Sequence, residues 1–462
     1  MERGGWRAHR RAGRAARAVK ATAMDTGKVK EIVDKWVIPT PGGAYMAGLE
    51  NRPVLASASA STVVDTIGRE YLDFQSGQMG AALGHRHPRV MKAIEHATRT
   101  IVHASNTMLN VPRLQLHERL GGLLTPPLQK SLFLVSGSDS IEASVDLARN
   151  ATGGYDVLGL HEGLHGSTSL VARSLSFGWD RNKHAALAPG TSAILAPDCY
   201  RCPVATTFPD CDFLCLKTSL TLADANFTAK PAAVIVEPVL SAGGVIVPPP
   251  GYFAALRQAC DARGMLLIFD EAQTGLGKTG KMFCYEHEGV VPDILAVSKH
   301  FGGGLPISAV CTSAAIADRA VQRGYFATRS HATDPILCSA GLASLDVVIE
   351  DDLARRAARI EQRMKTAFHE MAHKFEIIGD VRGRGVLLGV ELVTDRVRKT
   401  PANREADAIA SHCLDNGLIF QVRGSHGRMN VLRFVPPMVT TDAEVERALS
   451  ILHDAFSAVC EP

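Results

Sequence analysis

The stretch MLLIFDEAQTGLGKTGKMFCYEHEGVVPDILAVSK (residues 265–299) contains two short apolar runs, and each run ends at a charged side chain. Runs of this length and composition are typical of strands that are buried on both faces. Asp270 closes the first run and Lys299 follows the second, although an unpaired charge is costly in a buried place. We therefore predict that both residues lie at the carboxyl edge of a parallel sheet, where open α/β folds bind ligands.

The same pattern extends in both directions along the chain. Five further apolar runs, several of them separated by helix-period segments, predict strands at residues 131–136, 155–160, 191–196, 232–240 and 307–313. This alternation predicts an α/β fold with a mostly parallel sheet that is covered by helices on both faces. After about residue 345 a long charged helix and shorter strands follow, which indicates a smaller α+β domain.

These changes of pattern predict four parts of the chain. They are a disordered basic extension at 1–24, an N-terminal part of the small domain at 25–75, a large domain at 76–345 and the C-terminal small domain at 346–462. The Arg-rich start is compatible with a mitochondrial transit peptide, but we prefer a disordered extension or a true start at Met24.

Composition and charge indicate the cellular location of the protein and the kinds of partner that it binds. Residues 1–23 carry a net charge of +6 in a chain whose total is +3, so the remainder is slightly acidic and predicts no nucleic-acid binding. No apolar run is long enough to predict a membrane span. Ten cysteines without a secretory signal predict reduced thiols and a cytoplasmic location.

A third polar element stands before a predicted helix. Ser136, Gly137 and Ser138 are small, so backbone N–H groups and hydroxyls there can approach an anion at a helix N-terminus. Alone, such a turn is usually only a helix cap. Lysine in an apolar pocket can form a Schiff base, and a carboxylate that pairs with a pyridine nitrogen is its partner in pyridoxal-phosphate proteins. Together with Asp270 and Lys299, the turn predicts a phosphate cup in such a site.

Several motifs resemble those of a known family. The stretches FLVSGSDSIEAS, IVEPVLSAGG, LLIFDEAQTGLGKTG, ILAVSKHFGGGLP and LRFVPPMVT resemble class III pyridoxal-phosphate aminotransferases, and the resemblance runs from about residue 65 to the end. SGQM, DEAQTG and SHATDP favour the 2,2-dialkylglycine decarboxylase branch. The family implies the aspartate-aminotransferase-like fold (pyridoxal-phosphate fold type I), pyridoxal 5′-phosphate as cofactor, and an amino acid and a 2-keto acid as substrates. It also implies a homodimer or homotetramer with shared active sites.

The resemblance implies roles for individual residues. Lys299 would hold the cofactor and carry protons, Asp270 would pair with the ring nitrogen, and Arg433 would clamp a substrate carboxylate. The implied cofactor-binding residues are Ser136, Gly137, Ser138, His165, Asp270, Gln273, Lys299 and, from a neighbouring subunit, Ser330. The implied substrate-binding residues are Gln78, beside the scissile group, Glu237, as an acid on the substrate side or just behind the ligand-binding residues, and Arg433.

The chain departs from the family pattern near the predicted site. Leu164 stands where relatives place an aromatic residue on the cofactor ring, and Ser167 replaces a methionine. Ile141 stands where asparagine is usual in the phosphate loop, and Ala242 replaces a serine near the carboxylate subsite. Loss of ring stacking should weaken cofactor binding. Because several changes border the substrate, the substrate or the bond that is cleaved can differ from those of the decarboxylases.

Two motifs suggest metal sites, and we predict no metal at either. HEGLH (161–165) has the spacing of a zinc-peptidase helix, but Gly163 and Gly166 argue against a helix there. Cys199, Cys202, Cys211 and Cys215 have near-ligand spacing, but small buried thiols are common without metal.

Three functions remain open from the sequence. The leading hypothesis is decarboxylation-dependent transamination of a 2,2-dialkylglycine-like amino acid, with a 2-keto acid such as pyruvate as amino acceptor. The second is an ordinary class III aminotransferase or an amino-acid racemase. The third, a non-catalytic homologue, is supported only by Leu164 and Ile141 and is opposed by the intact Lys299 and Asp270.

Overall fold

A computed structural model of the chain describes residues 26–37, 52–168, 170–178 and 187–460. The predicted extension at 1–24 lies outside these residues. The chain divides into two compact units, one of residues 1–57 and 64–70 and the other of residues 58–63 and 71–462. The domain limits predicted from the sequence at residues 76 and 345 stay predictions.

The secondary structure alternates strands and helices through most of the chain. Numbered in chain order, the strands are β1 Leu55–Ser59, β2 Thr62–Asp65, β3 Glu70–Asp73, β4 Lys130–Leu134, β5 Asp156–Leu160, β6 Thr191–Ile194, β7 Pro231–Val236, β8 Leu266–Asp270, β9 Ile294–Val297, β10 Ser308–Thr312, β11 Ile378–Arg384, β12 Leu387–Asp395, β13 Thr400–Pro401, β14 Leu418–Ile419, β15 Gln421–Arg423 and β16 Val431–Phe434. The helices are α1 Thr26–Trp36, α2 Ser76–Met79, α3 Pro88–Thr100, α4 Val111–Gly121, α5 Gly137–Thr152, α6 Leu170–Ser174, α7 Leu214–Asn226, α8 Tyr252–Arg263, α9 Ala314–Gln322, α10 Pro335–Glu350, α11 Leu353–Lys374, α12 Asn403–Asp415 and α13 Asp442–Cys460.

A seven-stranded sheet forms the centre of the larger unit. Its strand order is β4-β10-β9-β8-β7-β5-β6, and β10 runs antiparallel to both of its neighbours. The pairs β9–β8, β8–β7, β7–β5 and β5–β6 are parallel. All seven strands predicted from apolar runs are present, so the mostly parallel α/β sheet is confirmed.

Helices bury both faces of this sheet, as the continuous apolar strands require. On one face, Ile141 and Val145 of α5 pack in a core with Val157 and Ile268 from the strands. On the other face, Leu256 of α8 lies in a core with side chains of β7, β8 and β9. Every residue of β8 after Leu266 is buried. A polar group at the end of such a strand is therefore shielded from solvent and held in a fixed position.

A second sheet belongs to the C-terminal part of the larger unit. Strands β11, β12, β16 and β15 form an antiparallel sheet in that order, and β13 pairs with β12. Its core includes Phe368 of α11, whose ring centroid lies 5.2 Å from that of Phe434. In this sheet Arg433 lies opposite Gly389 on one side and opposite Gln421 on the other.

The described residues contain no helix that is long and apolar enough to cross a bilayer. All ten cysteines are free thiols. Several of them, including Cys260 and Cys311, are buried among apolar side chains.

Candidate active site

The structure places Asp270 and Lys299 at neighbouring strand ends. Asp270 is the last residue of β8, and its backbone pairs in parallel with Ala296 of β9. Lys299 follows β9 after Ser298 and begins a 3₁₀ turn. Its φ of +61° is rare for a lysine and costs about 1–3 kcal/mol, so the surrounding structure must hold it there.

Asp270 is fixed by a histidine and by its own turn. Its Oδ2 lies 2.9 Å from Nδ1 of His165, and its Oδ1 accepts a hydrogen bond of 3.1 Å from the backbone N–H of Ala272. Asp270 and His165 are both buried, and His165 Nε2 has no hydrogen-bond partner within the described residues. The pair therefore presents a carboxylate of fixed orientation beside a buried ring nitrogen that has no partner within the described residues.

The charge of Lys299 is disfavoured where it lies. Burial lowers the pKa of the Lys299 amine, and the positive charge of Arg433 lowers it further, while Asp270 and Glu237 oppose the shift. A lowered pKa makes the neutral, nucleophilic amine more available. Lys299 can thus react with an aldehyde close to neutral pH more readily than a surface lysine.

Glu237 follows β7 directly and is buried in the same region. Its Oε1 accepts a hydrogen bond of 2.8 Å from the backbone N–H of Leu164. Burial raises the pKa of Glu237 to about 7, and His165 opposes this shift. Glu237 can therefore hold or release a proton near neutral pH.

The predicted phosphate cup is the N-terminus of α5. Ser136 is the N-cap, and its hydroxyl accepts the N–H of Asp139 at 3.2 Å while Asp139 Oδ2 accepts the N–H of Ser136 at 3.2 Å. A Cβ on Gly137 would lie 2.9 Å from Oγ of Ser298, the residue before Lys299. The helix N-terminus thus lies against the strand end that carries Lys299, and a side chain at residue 137 would require the Ser298 hydroxyl to move.

Arg433 lies on the C-terminal sheet and points to the same region. It is buried, and its Nη1 donates to Ser241 Oγ at 2.9 Å and to Gln273 Oε1 at 3.4 Å. Its Nη2 donates to Gln421 Oε1. Gln273 comes from the turn after β8, so these contacts join the substrate-binding candidate to the Asp270 turn.

Gln78 stands on a strained turn. Ser76, Gly77, Gln78 and Met79 all have φ between +48° and +66°. The carboxylate of Asp73 holds the turn by accepting the N–H of Gly77 at 2.8 Å. The turn packs against the 3₁₀ segment that begins at Lys299, and Gln78 itself is exposed.

Ser330 is the predicted site residue that the single chain leaves apart. It is exposed on the loop before α10, and it makes no hydrogen bond to the other candidate residues within the described part of the chain. This position is compatible with the prediction that Ser330 serves the site of a neighbouring subunit.

The two histidines of HEGLH contact different parts of the molecule. His165 bonds to Asp270, whereas the His161 ring stacks on His426 at a centroid distance of 4.3 Å. Glu162 accepts a hydrogen bond of 2.8 Å from Arg428. The two histidines therefore do not form the paired ligands of a zinc-peptidase helix.

Sequence reasoning missed Lys278, which is completely buried. Its Nζ lies 3.1 Å from the carbonyl of Ala272 and 3.0 Å from Nδ1 of His300, whose Nε2 lies 2.9 Å from the carbonyl of Leu276. Burial lowers the pKa of Lys278 to about 7. The only signal was its place in DEAQTGLGKTG, in a turn without helix or strand periodicity.

Sequence reasoning also missed Ser241, Gln421 and Arg423. All three surround Arg433 either directly or through a shared partner. Ser241 lies in the motif LSAGG, in which Ala242 alone departs from the family pattern.

These residues fit pyridoxal phosphate. Lys299 supplies a buried amine, Asp270 a fixed carboxylate, and the α5 N-terminus an anion-binding end that Gly137 keeps open. The unpartnered Nε2 of His165 adds a free polar atom beside them.

Comparison with known proteins identifies the family to which the chain belongs. The family model described as aminotransferase class-III matches residues 48–456, so the chain belongs to this family. It is 35% identical over 408 residues to the 5-aminovalerate aminotransferase DavT of Pseudomonas aeruginosa, covering 87% of this chain and 93% of that protein. It is 34% identical over 414 residues to a leucine/methionine racemase of Thermococcus litoralis, covering 88% and 92%.

A solved structure agrees with the family assignment. A pyridoxal-phosphate-bound amine transaminase from an uncultivated Pseudomonas species has a TM-score of 0.82 and 27% identity, covering 91% of this chain and 98% of that one. Class III aminotransferases depend on pyridoxal phosphate. The protein is accordingly a pyridoxal-phosphate-dependent aminotransferase with the type I fold.

Proposed function

We propose that this aminotransferase removes carbon dioxide from a 2,2-dialkylglycine-like amino acid and passes the amino group to a 2-keto acid such as pyruvate. The observation that carries the proposal is the turn Ser76–Met79, which packs against the segment that begins at Lys299. Its left-handed backbone is costly, and such strain is found where function requires one side chain in one place. The side chain at the tip of this turn is Gln78.

Each residue has a defined task in this proposal. When bound, pyridoxal phosphate would supply an electron sink for the charge that develops at Cα of an attached amino acid. Asp270, oriented by His165, would pair with the ring nitrogen of the cofactor. Lys299 accepts or delivers the proton at Cα or at the neighbouring carbon.

The bond that breaks depends on how the carboxylate is held. Arg433 offers a two-pronged guanidinium that can fix a carboxylate in one plane, a geometry that lysine cannot reproduce. An orientation of the carboxylate set by Arg433 would favour breaking of the Cα–H bond, and ordinary transamination would follow. An orientation set by Gln78 and its neighbours would favour loss of carbon dioxide.

The alternative is an ordinary aminotransferase or a racemase on the same scaffold. The names of the two relatives, a 5-aminovalerate aminotransferase and a leucine/methionine racemase, support this alternative. Both reactions break the Cα–H bond or an equivalent C–H bond, and Lys299 can carry the proton in each. A non-catalytic role is opposed by the joint placement of Lys299, Asp270 and the α5 N-terminus.

A parallel substrate screen separates these functions. The holoenzyme is incubated with 2-aminoisobutyrate and pyruvate and, separately, with ordinary amino acids and pyruvate. We expect carbon dioxide and alanine in equal amounts from the first mixture. Alanine only from the second mixture, without gas, would establish ordinary transamination and overturn the proposal. Loss of optical activity without amino transfer would establish a racemase, and no product in any mixture would leave the non-catalytic role.

Gln78→Ala tests the part assigned to the strained turn. We expect the rate of carbon dioxide release by this variant to fall about tenfold or more, while the rate of amino transfer from L-alanine changes little. Only the first reaction needs the substrate carboxylate in the orientation that Gln78 sets. Gln75→Ala, at the start of the same turn, is the matched control and should retain both rates. Equal loss of both reactions in Gln78→Ala would refute the role of Gln78.

We also propose that two copies of the chain complete the sites. Exposed apolar side chains flank the segment that carries Ser330; they include Met108, Leu109, Val111 and Phe326. Such a group is typical of a surface that another protein covers, and a homodimer or homotetramer would cover it. Light scattering on the holoenzyme should give a mass of two or four chains; a monomer at micromolar concentration would contradict the assembly without affecting the chemistry.

A further inference from the structure

Three long polar side chains share one face of the C-terminal sheet. Gln421 lies opposite Arg433 in the antiparallel pair of β15 and β16, and Arg423 lies opposite Val431. Because successive side chains of a strand alternate between faces, Gln421, Arg423 and Arg433 lie on the same face. Arg433 reaches Ser241 and Gln273 from this face, so it is the face toward the candidate active site.

One amide oxygen joins the two arginines. Nη2 of Arg423 donates to Oε1 of Gln421 at 2.8 Å, and Nη2 of Arg433 donates to the same oxygen. Two guanidinium groups are therefore within reach of a single acceptor atom. A neutral amide oxygen is a weak partner for two cations, since hydrogen bonds to an ionised acceptor are about twice as strong.

The positive charge of Arg433 disfavours the charged form of Arg423. Burial and the positive charge of Arg433 lower the pKa of Arg423 to about 9. Burial also lowers the pKa of Arg433 to about 10, although Glu237 opposes that shift. An anion placed between them would relieve this repulsion.

Two carboxylates on this sheet face, Glu391 and Asp380, are already engaged, and Asp380 contacts Arg382 at 2.7 Å. Glu391 lies opposite Val431 across the other edge of β16. Its two oxygens contact Arg201 at 2.5 Å and Arg382 at 2.6 Å. Glu391 is therefore committed to a different pair of arginines.

We propose that Arg423 is a second carboxylate-binding residue, and that the carboxylate of the amino acid or the 2-keto acid replaces the Gln421 amide oxygen and bridges Arg423 and Arg433. The inference rests on the proposed aminotransferase function, but it holds for either bond that the enzyme breaks. A carboxylate in this place accepts charge-assisted hydrogen bonds from both guanidinium groups. In the absence of substrate, the Gln421 amide oxygen occupies the place that the carboxylate takes and satisfies one N–H of each arginine.

Matched ligands with and without a carboxylate test the proposal. 2-Aminoisobutyrate and isopropylamine differ only by that group, as do alanine and ethylamine. The half-saturating concentration of each is measured from the change in the visible spectrum of the holoenzyme, for wild type and for Arg423→Gln. We expect Arg423→Gln to weaken both amino acids about tenfold or more and both amines by less than about twofold.

Three further variants keep the result interpretable. Arg423→Lys retains the charge without the fork and should lie between wild type and Arg423→Gln. Gln421→Ala removes the resident amide oxygen and should bind the amino acids at least as tightly as wild type does. Arg359→Gln removes an exposed arginine of α11 and should match wild type.

Each negative result contradicts a different part of the proposal. Equal weakening of amino acids and amines in Arg423→Gln, or no weakening of either, would overturn the role of Arg423. If Arg423→Gln does not fold, tenfold weaker amino-acid binding by Gln421→Ala would overturn the replacement of the amide oxygen. If the wild-type spectrum responds to no amino acid, the proposed function itself fails, and that result is read before any variant is compared.

Discussion

The carboxyl edge of the seven-stranded sheet and the C-terminal antiparallel sheet form the site in different ways. At the first, Asp270 ends one buried strand and Lys299 follows another after one residue, so the backbone fixes where they stand. At the second, Arg433 and Arg423 lie within strands and reach the site through long side chains that are held by Gln421 and Ser241. In our proposal, the first region binds the cofactor and the second binds the substrate.

The comparison predicts the largest effect at the backbone-fixed region. Lys299→Ala should abolish the visible absorption of the lysine-linked cofactor and lower the rate of amino transfer by about 10³-fold or more, because both attachment and proton transfer depend on this amine. Absorption spectra and an assay with pyruvate measure the two effects. Lys281→Ala, at an exposed lysine, is the control. A visible absorption band that persists in Lys299→Ala would contradict the assignment of Lys299 as the lysine that holds the cofactor.

A second effect concerns the stability of the same region. The pKa of Lys278 is about 7 in the folded protein, below its usual 10.5. Between these pH values the unfolded chain binds more protons, so the unfolding free energy should rise with pH by up to about 1.4 kcal/mol per pH unit. Lys278→Met should lack this rise between pH 7 and 10.

Urea unfolding of both proteins at several pH values measures the difference in slope. Lys281→Met, at an exposed lysine, should keep the wild-type slope. Parallel pH profiles for wild type and Lys278→Met would show that Lys278 keeps an ordinary pKa in the folded protein.

The smallest effect is expected at Leu164, which precedes the predicted cofactor-binding residue His165. Its backbone N–H is bound to Glu237, so the side chain can change while the main chain stays in place. Leu164→Phe restores the ring that relatives place there and should tighten pyridoxal-phosphate binding by about 0.5–1.5 kcal/mol, or roughly two- to tenfold. Equilibrium dialysis measures the affinity, with Leu164→Met as the control; unchanged affinity would show that stacking is not the missing contribution.

The two regions also differ in how far the sequence predicts them. Apolar runs located all seven central strands, and the rule that ligands bind at strand ends placed Asp270 and Lys299 together at one edge of the sheet. These predictions succeed because a buried strand leaves a continuous apolar run, and a polar residue at its end stands out.

Arg423 and Gln421 could not be predicted in this way. Their contact with Arg433 depends on the register of two short antiparallel strands, which no local pattern specifies. Lys278 was missed because its partners are backbone carbonyls and a histidine that become neighbours only after folding. The role that we propose for Ser330 involves a second chain, so a single chain cannot test it.

Chemical trapping of the cofactor tests the central claim most directly. The holoenzyme is reduced with borohydride and digested, and the pyridoxyl-modified peptide is identified by mass spectrometry. Two buried lysines, Lys278 and Lys299, lie in this region, and the strand-end site predicts modification at Lys299 alone. Modification at Lys278 or at any other lysine, or an unmodified Lys299 in protein that carries the cofactor, would contradict it.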